Sequence, residues 1–595
     1  MDEARTVRVA AAQFAVGRDR KANLAACLRM IDAAAEQGAI LVVLPEFCNH
    51  LSWYDDREQA LAAACRPGDD FLGPVAAHAA RHGMYVKTHV TLASGGGPGA
   101  ERITATSLLY GPDGALAGAA DKQVLMGSEN DHLDPATEPG PVIDTALGPV
   151  GLYSCMEGVV PEVCRGLALR GAHLLLNSLN SFALDEAALH IPVRAAENRV
   201  WVVAANKVGP LLPADRIGAI SAAMGVPAEA LEGAGESQIV APDGTVVARA
   251  PRRGEAVIVA DIRVEAAADK RRADGTDAFT VRRPDLYRQI ASPPAPAPAF
   301  AGTRAGEIAA AVVRPSGSGN AAVEDAARLV REAAGRGAAL IVLPELFWYP
   351  GGVLPRPGRP DTEEAGAVMR ALRGALAGGS AYLACTLPLP AGHAGVLLDR
   401  DGPVLTQHQL HDGARHRGWA RAGEAPALLT HDTPWGRVAV VLADDAVQPE
   451  TLRLAALAGA DTAAVCLGGA TEPWEYALGL PERAAENRIN LVAAGPGDGA
   501  VHALPVEFGL WRSRDAPFDG TISTPTSTAA GPGLTLASVR PRQAGRRLVS
   551  RGTDLVDGRP WRLAGALVAP RPAGPGPARA TPHPHPHTQA TGGAL

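Results

Sequence analysis

The stretch Gly148-Pro-Val-Gly-Leu-Tyr-Ser-Cys-Met-Glu-Gly-Val-Val-Pro-Glu162 aligns without a gap on Gly436-Arg-Val-Ala-Val-Val-Leu-Ala-Asp-Asp-Ala-Val-Gln-Pro-Glu450. Each copy is an apolar, strand-like run that ends in a turn and enters a helix. Two further matches flank it in the same order. Gly38-Ala-Ile-Leu-Val-Val-Leu-Pro-Glu-Phe47 returns as Gly337-Ala-Ala-Leu-Ile-Val-Leu-Pro-Glu-Leu346, and Arg194-Ala-Ala-Glu-Asn-Arg199 returns letter for letter as Arg483-Ala-Ala-Glu-Asn-Arg488. One six-residue identity could be chance in an Ala-rich chain, but three ordered matches at separations of 288–299 residues are the mark of a tandem duplication.

The duplication accounts for a length of 595 residues, several domains' worth for an ordinary globular chain. Between the copies, Ala291-Ser-Pro-Pro-Ala-Pro-Ala-Pro-Ala-Phe-Ala301 is too rich in proline for a helix or central strand. The expected organisation is therefore a first domain over 1–290, a linker over 291–304, a second domain over 305–565 and a disordered tail over 566–595. The tail is Pro/Gly/Ala-rich, and its His583, His585 and His587 alternate with prolines that oppose a compact ligand cage.

Hydrophobic residues make up 47% and charged residues 20% of the chain, which excludes wholesale disorder. The net charge of −7 offers no broad basic surface for nucleic acid. Seven cysteines without a CxxC pair suggest a reducing compartment, and the charged N-terminus and lack of a long apolar run suggest a cytoplasmic protein away from membranes. Only five lysines occur, Lys21, Lys87, Lys122, Lys207 and Lys270, so lysine chemistry is confined to the first half.

In that half, Arg8–Phe14, Ala39–Leu44, Met84–Leu92, Thr104–Tyr110, Val150–Ser154, His173–Asn177 and Trp201–Ala205 are expected strands. Asn23–Gln37, Gly73–Arg81, Val160–Arg170 and Asp185–Arg199 have helical apolar spacing, and Pro112-Asp-Gly114 and Pro242-Asp-Gly244 are turns. A buried mixed α/β sheet layered by helices follows.

Three strand ends carry chemistry. Glu46 emerges from an apolar run, Lys122 ends a nearly uncharged stretch, and Cys155 stands at a strand-to-helix turn. Each alone has a bland reading: an ion-pair partner, an exposed lysine, an inert buried thiol. Together, in this order, they resemble the carbon-nitrogen hydrolase (nitrilase) superfamily over about residues 6–265, and Arg194–Gly209 and Gly235–Gly244 extend the resemblance. It implies an αββα four-layer sandwich in each copy and a Glu-Lys-Cys triad, with Glu129 fitting a second, orienting carboxylate.

The chemistry this implies is thioester catalysis: Glu46 as general base and acid, Cys155 as nucleophile, and Lys122 with the backbone N–H of Met156 as oxyanion donors. The turn into the helix is expected to favour the thiolate. No metal or other cofactor is implied, and no Cys/His spacing suggests one. The second half keeps Glu345 but has Ala443 in place of Cys155, and Leu410, or Gln409 in a shifted register, in place of Lys122. It is expected to be a pseudoenzyme that packs on the first half as an intramolecular dimer partner, with further homo-oligomerisation open; a tethered appendage is the alternative.

The substrate is expected to be a small linear amide or N-carbamoyl group, with water as co-substrate; Asn49, Trp53, Tyr54 and Asn180 are candidate pocket residues. A nitrile substrate and a non-catalytic scaffold are the competing readings.

Overall fold

The computed structural model describes residues 6–95, 101–354, 361–422, 426–469, 472–509 and 517–570. The three tail histidines lie outside the described residues. In the first half, one six-stranded sheet runs in the order Ala256–Ile262, Val7–Gln13, Leu41–Val43, Tyr85–Ser94, Arg102–Tyr110, Leu116–Asp121. The second runs Val246–Arg249, Gln238–Val240, Trp201–Ala205, Leu174–Ser178, Gly148–Ser154, Val142–Thr145. The two turns around Gly114 and Gly244 join antiparallel strands, as their sequences require.

Strand alternation sets the layers. Val9 and Ala11 point into a core shared with Leu174, Leu176 and Val203 of the other sheet. Ala10, Ala12 and Phe14 point the opposite way, onto helices α1 (Arg20–Glu36) and α2 (Leu72–His82). On the second sheet Leu175 and Val202 face α3 (Pro161–Leu169) and α4 (Ile191–Asn198). The result is the αββα sandwich. The second half repeats it with two six-stranded sheets, covered by α5 (Gly319–Gly335) and α6 (Thr362–Ala375) on one side and α7 (Pro449–Leu457) and α8 (Leu480–Asn487) on the other.

The expected helix over Asp185–Arg199 is divided: a wide turn over Glu186–His190 precedes α4, and Arg199 ends it at φ +48°. Its counterpart Arg488 ends α8 at φ +51°. A left-handed arginine is uncommon, and Lys270 supports the first of the two by donating to the carbonyls of Asn198 and Arg199.

The halves meet through α3 and α4 against α7 and α8, and the contacts are reciprocal, as across a two-fold axis. Arg165 pairs with Glu450 at 3.0 Å, and Arg453 pairs with Glu162 at 2.8 Å. Arg194 reaches Glu486 at 2.5 Å, and Arg483 reaches Glu197. All eight side chains are buried. The repeated Arg-Ala-Ala-Glu-Asn-Arg motif is thus explained by geometry: each copy supplies the partner for the other. Packed structure also continues past residue 566, where Gly565–Val568 form a helical turn that buries Leu567.

Candidate active site

Glu46 follows the strand Leu41–Val43, and its backbone N–H donates to Leu179 O across the two sheets (3.1 Å). The next residue, Phe47, is held at φ +50° while its N–H donates to His89 Nδ1 (3.1 Å). This strained turn places the Glu46 carboxylate in the interior. Lys122 lies one residue beyond Leu116–Asp121, and its N–H donates to Ala105 O (2.8 Å). Its buried Nζ donates to Glu46 Oε1 (2.8 Å) and to Glu129 Oε2 (2.8 Å) and Oε1 (3.0 Å). Glu129 Oε2 also accepts from Met126 N (2.9 Å), which fixes its loop.

Cys155 ends Gly148–Ser154 at φ +46°, and its N–H donates to Asn177 Oδ1 (3.1 Å). Glu157, two residues on, joins this turn to the lysine segment by accepting from Ser154 N and Gln123 N, both at 2.7 Å. Burial raises the Glu157 carboxyl to about 7, with those N–H bonds opposing. Its role here is to hold two strand ends together.

Glu46, Glu129 and Cys155 open on one cleft of about 790 Å³, solvent at the mouth included. Trp53, Met126, Phe182, Leu211, Leu212, Ile220, Met224 and Leu231 make its walls apolar. A second lobe of about 550 Å³ runs from Cys155 past Met156, Asn180, Glu186 and His190 to Ile522, Ser523 and Val549 of the second half. Cys155 is half-buried; the other six cysteines are fully buried.

The electrostatics correct one expectation. Burial, with the charges of Glu46 and Glu186, pushes the Cys155 thiol well above its ordinary value, and Lys122 only partly offsets this. The short turn at Cys155 does not hold a resting thiolate. For Lys122, burial is outweighed by Glu129 and Glu46, so the ammonium stays charged. Two more buried lysines stand close by. Burial lowers Lys87 to about 7, and it donates to Ser178 Oγ (2.5 Å); burial lowers Lys207 to about 8, and its Nζ has no hydrogen-bond partner. Three of the five lysines in the chain therefore surround Glu46.

Of the expected pocket residues, Trp53 and Asn180 line the cleft, and Asn180 Nδ2 donates to Ser52 Oγ (2.7 Å). Asn49 and Tyr54 do not. Asn49 is a buried structural amide bonded to the backbone of Ala63 and Thr91, and the Tyr54 hydroxyl is engaged with Thr91 Oγ1 (2.5 Å). Sequence reasoning missed Phe182, Glu186, His190 and the second-half residues, because no local motif marks a wall assembled from distant segments.

In the second half the same positions hold different groups. Gln409 N donates to His393 O (3.0 Å) as Lys122 N does to Ala105 O, so Gln409 stands at the lysine position and His393 at that of Ala105. The same register puts His416 at the position of Glu129, Ala443 at that of Cys155 and Gly468 at that of Asn180. Glu345 keeps the place of Glu46 and the strained turn, with Leu346 at φ +42°. Glu345, His393 and His416 are buried together, with one ligand atom from each within 4.8 Å of the others.

The family model "Carbon-nitrogen hydrolase" matches residues 8–272 and again 308–509. The chain belongs to the carbon-nitrogen hydrolase family, as two tandem copies of its fold. It is 27% identical over 266 residues to a nitrilase of Pyrococcus abyssi, covering 44% of this chain and 92% of the relative. It is 28% identical over 293 residues to a chloroplastic omega-amidase of Arabidopsis thaliana, covering 47% of this chain and 73% of the relative. Among solved structures, an amidase from Nesterenkonia sp. is 24% identical with a TM-score of 0.36, covering 45% of this chain and 95% of that one. Among the described residues no helix is long and apolar enough to cross a membrane.

Proposed function

We propose that the first half hydrolyses a small linear amide or N-carbamoyl compound through a thioester on Cys155. The observation that carries this reading is the buried chain Glu129–Lys122–Glu46, hydrogen-bonded throughout, which opens on the same cleft as Cys155. Because the thiol rests protonated, Glu46 takes its proton as sulfur attacks the carbonyl carbon. That transfer moves one negative charge from carboxylate to sulfur and on to the oxygen, with no net charge added to the buried site. Protonated Glu46 is a poorer acceptor, so Lys122 Nζ–H is released toward the developing oxyanion, beside the backbone N–H of Met156.

Glu46 then protonates the leaving amine, and once the amine departs it takes a proton from water, whose oxygen attacks the thioester. The acid leaves, Cys155 recovers its proton, and Glu129 keeps Lys122 in place through both halves of the cycle. Among the described residues the cleft walls are apolar and hold no arginine, which favours an uncharged, short-chain acyl group.

The second half acts as an intramolecular dimer partner that closes the cleft with Ile522, Ser523 and Val549. Turnover of an amide, carbamoyl and nitrile panel tests the reading: wild type is expected to cleave an amide or carbamoyl compound, and Cys155→Ala to be inactive. Undiminished activity of that variant sinks the mechanism. Limiting iodoacetamide followed by mass spectrometry is expected to label Cys155 ahead of the six fully buried cysteines. Equal labelling would favour a scaffold.

A further inference from the structure

We infer that the second half binds a divalent transition-metal ion of the zinc type through Glu345, His393 and His416, at the place where the first half has its triad. This site is independent of the first half's chemistry. His416 Nε2 lies 3.1 Å from Glu345 Oε2, and His393 Nε2 lies 3.7 Å from Glu345 Oε1. Ligand atoms on a tetrahedral ion with bonds of about 2.1 Å are about 3.4 Å apart, so these separations fit around one ion.

Neither contact serves as a hydrogen bond. Both Glu345 oxygens, His393 Nε2 and both His416 nitrogens are buried without a hydrogen-bond partner. Unsatisfied buried polar atoms are costly, and three such side chains converging on one point call for a bound group. The other His393 nitrogen is already committed: Nδ1 lies 2.8 Å from Gln409 Oε1, so it donates there and leaves the Nε2 lone pair free. Gln409 is itself anchored, its Nε2 donating to His411 O (2.6 Å) and Asp444 Oδ2 (3.2 Å). A metal-ligating histidine steadied through its second nitrogen is the usual arrangement.

The replacements between the halves are chemically concerted. Lys122 gives way to Gln409, which takes the ammonium out of the centre of the site and leaves Arg415 as the cation at its edge. Glu129 gives way to His416 and Ala105 to His393, which supplies two imidazoles beside the retained carboxylate. At the position of Asn180, Gly468 makes room for Arg415: a side chain there would begin 2.1 Å from Arg415 Nη1 and 2.6 Å from Glu345 Oε2, so the guanidinium borders the carboxylate from that side. Trp419 packs against both imidazoles, at ring-centroid distances of 5.1 and 5.2 Å, and limits their orientations.

The test uses the full chain carrying His583→Ala, His585→Ala and His587→Ala, so that the tail contributes no ligand, after treatment with EDTA. Titration with Co²⁺, followed by visible absorption, and competition with Zn²⁺ are expected to show one ion per chain. Glu345→Gln and His393→Gln are each expected to weaken binding by at least about 100-fold, and Gln409→Leu, which touches no ligand atom of the ion, by about 10–100-fold. Binding is expected to persist in Cys155→Ala. A chain that binds no ion, or that retains full affinity in Glu345→Gln and His393→Gln, overturns the inference, as does loss of the ion in Cys155→Ala, which would place it in the first half. Should the ligand variants misfold, the stoichiometry of wild type and the weakened affinity of Gln409→Leu decide between a bound ion and none.

Discussion

Glu46 and Glu345 occupy the same turn, equally buried, and each is followed by a residue at positive φ, yet their surroundings have opposite character. In the first half a lysine lies between two carboxylates, and in the proposed mechanism their net negative charge migrates to sulfur and oxygen. In the second half that lysine and the cysteine are gone, and two imidazoles and Arg415 face the carboxylate. The backbone survives the exchange because it is held by elements outside the site: the inter-sheet core, the strained turn, and a carboxylate that ties two strand ends. Glu157 does this in the first half and Asp445, which accepts from Leu410 N and His411 N, in the second.

The largest effect is expected at the lysine position. Lys122→Ala removes the proposed oxyanion donor and leaves Glu46 and Glu129 facing each other, so kcat should fall by about 10²–10³ or more. The reverse exchange should gain nothing. Gln409→Lys with Ala443→Cys, in a Cys155→Ala background, leaves His393, His416 and Arg415 crowding Glu345. Initial rates on the amide panel measure both, and turnover by the second half would break the contrast between the halves.

The reciprocal interface is next, and it is not quite symmetric. Glu450 faces both Arg165 (3.0 Å) and Arg282 (2.8 Å), whereas Glu162 faces Arg453. Glu450→Gln removes the carboxylate charge shared by two buried guanidinium groups and should destabilise the chain by about 3–5 kcal/mol in urea unfolding, with Glu162→Gln costing less. Equal losses would show that Arg282 contributes nothing.

A further interface pair also lacks a mirror image. His190 lies 2.8 Å from Glu482, while the equivalent positions hold Gly479 and Val193. Burial lowers the His190 pKa, but Glu482, Asp185 and Glu186 outweigh it and bring it to about 9. The folded value lies above the unfolded one, so this stabilisation is complete below about pH 6.5 and is lost as pH rises through about 9, amounting to about 3 kcal/mol. Stability profiles of wild type and His190→Gln should converge above that range, and parallel profiles would remove His190 as the cause.

Much of this was legible in the residues. The inter-sheet strands were marked by apolar runs long enough to be buried on both faces, and Trp201–Ala205 matches its expected span to the residue. Glu46 and Cys155 stood out because each follows such a strand, whereas Lys122 follows the half-exposed edge strand Leu116–Asp121 and stood out by its nearly uncharged surroundings. Asn49 and Tyr54 misled because a polar side chain in a loop after Glu46 can turn inward to satisfy backbone groups as readily as line a pocket. The His393–His416 cluster was hidden for a different reason: its ligands come from a turn, a strand end and a loop that only the sheet register brings together. The lysine count pointed to one half; it did not reveal that Lys87 and Lys207 lie beside Lys122.

The smallest effect tests the claim that each half positions the other's loop. Thr553 Oγ1 donates to Leu125 O (2.8 Å) and accepts from Asn130 Nδ2 (3.2 Å), in the segment that carries Glu129. Its counterpart Thr276 Oγ1 accepts from Ala414 N (2.9 Å), in the segment that carries His416. Thr553→Val keeps the shape and removes these bonds, worth about 1 kcal/mol, so kcat should fall about 5–10-fold with KM little changed. Thr276→Val should leave kcat alone, because the loop it releases belongs to the half that has Ala443 in place of Cys155. Equal kcat losses in the two variants would mean that both threonines act through general stability and that the reciprocal loop contacts do not steer the first-half site.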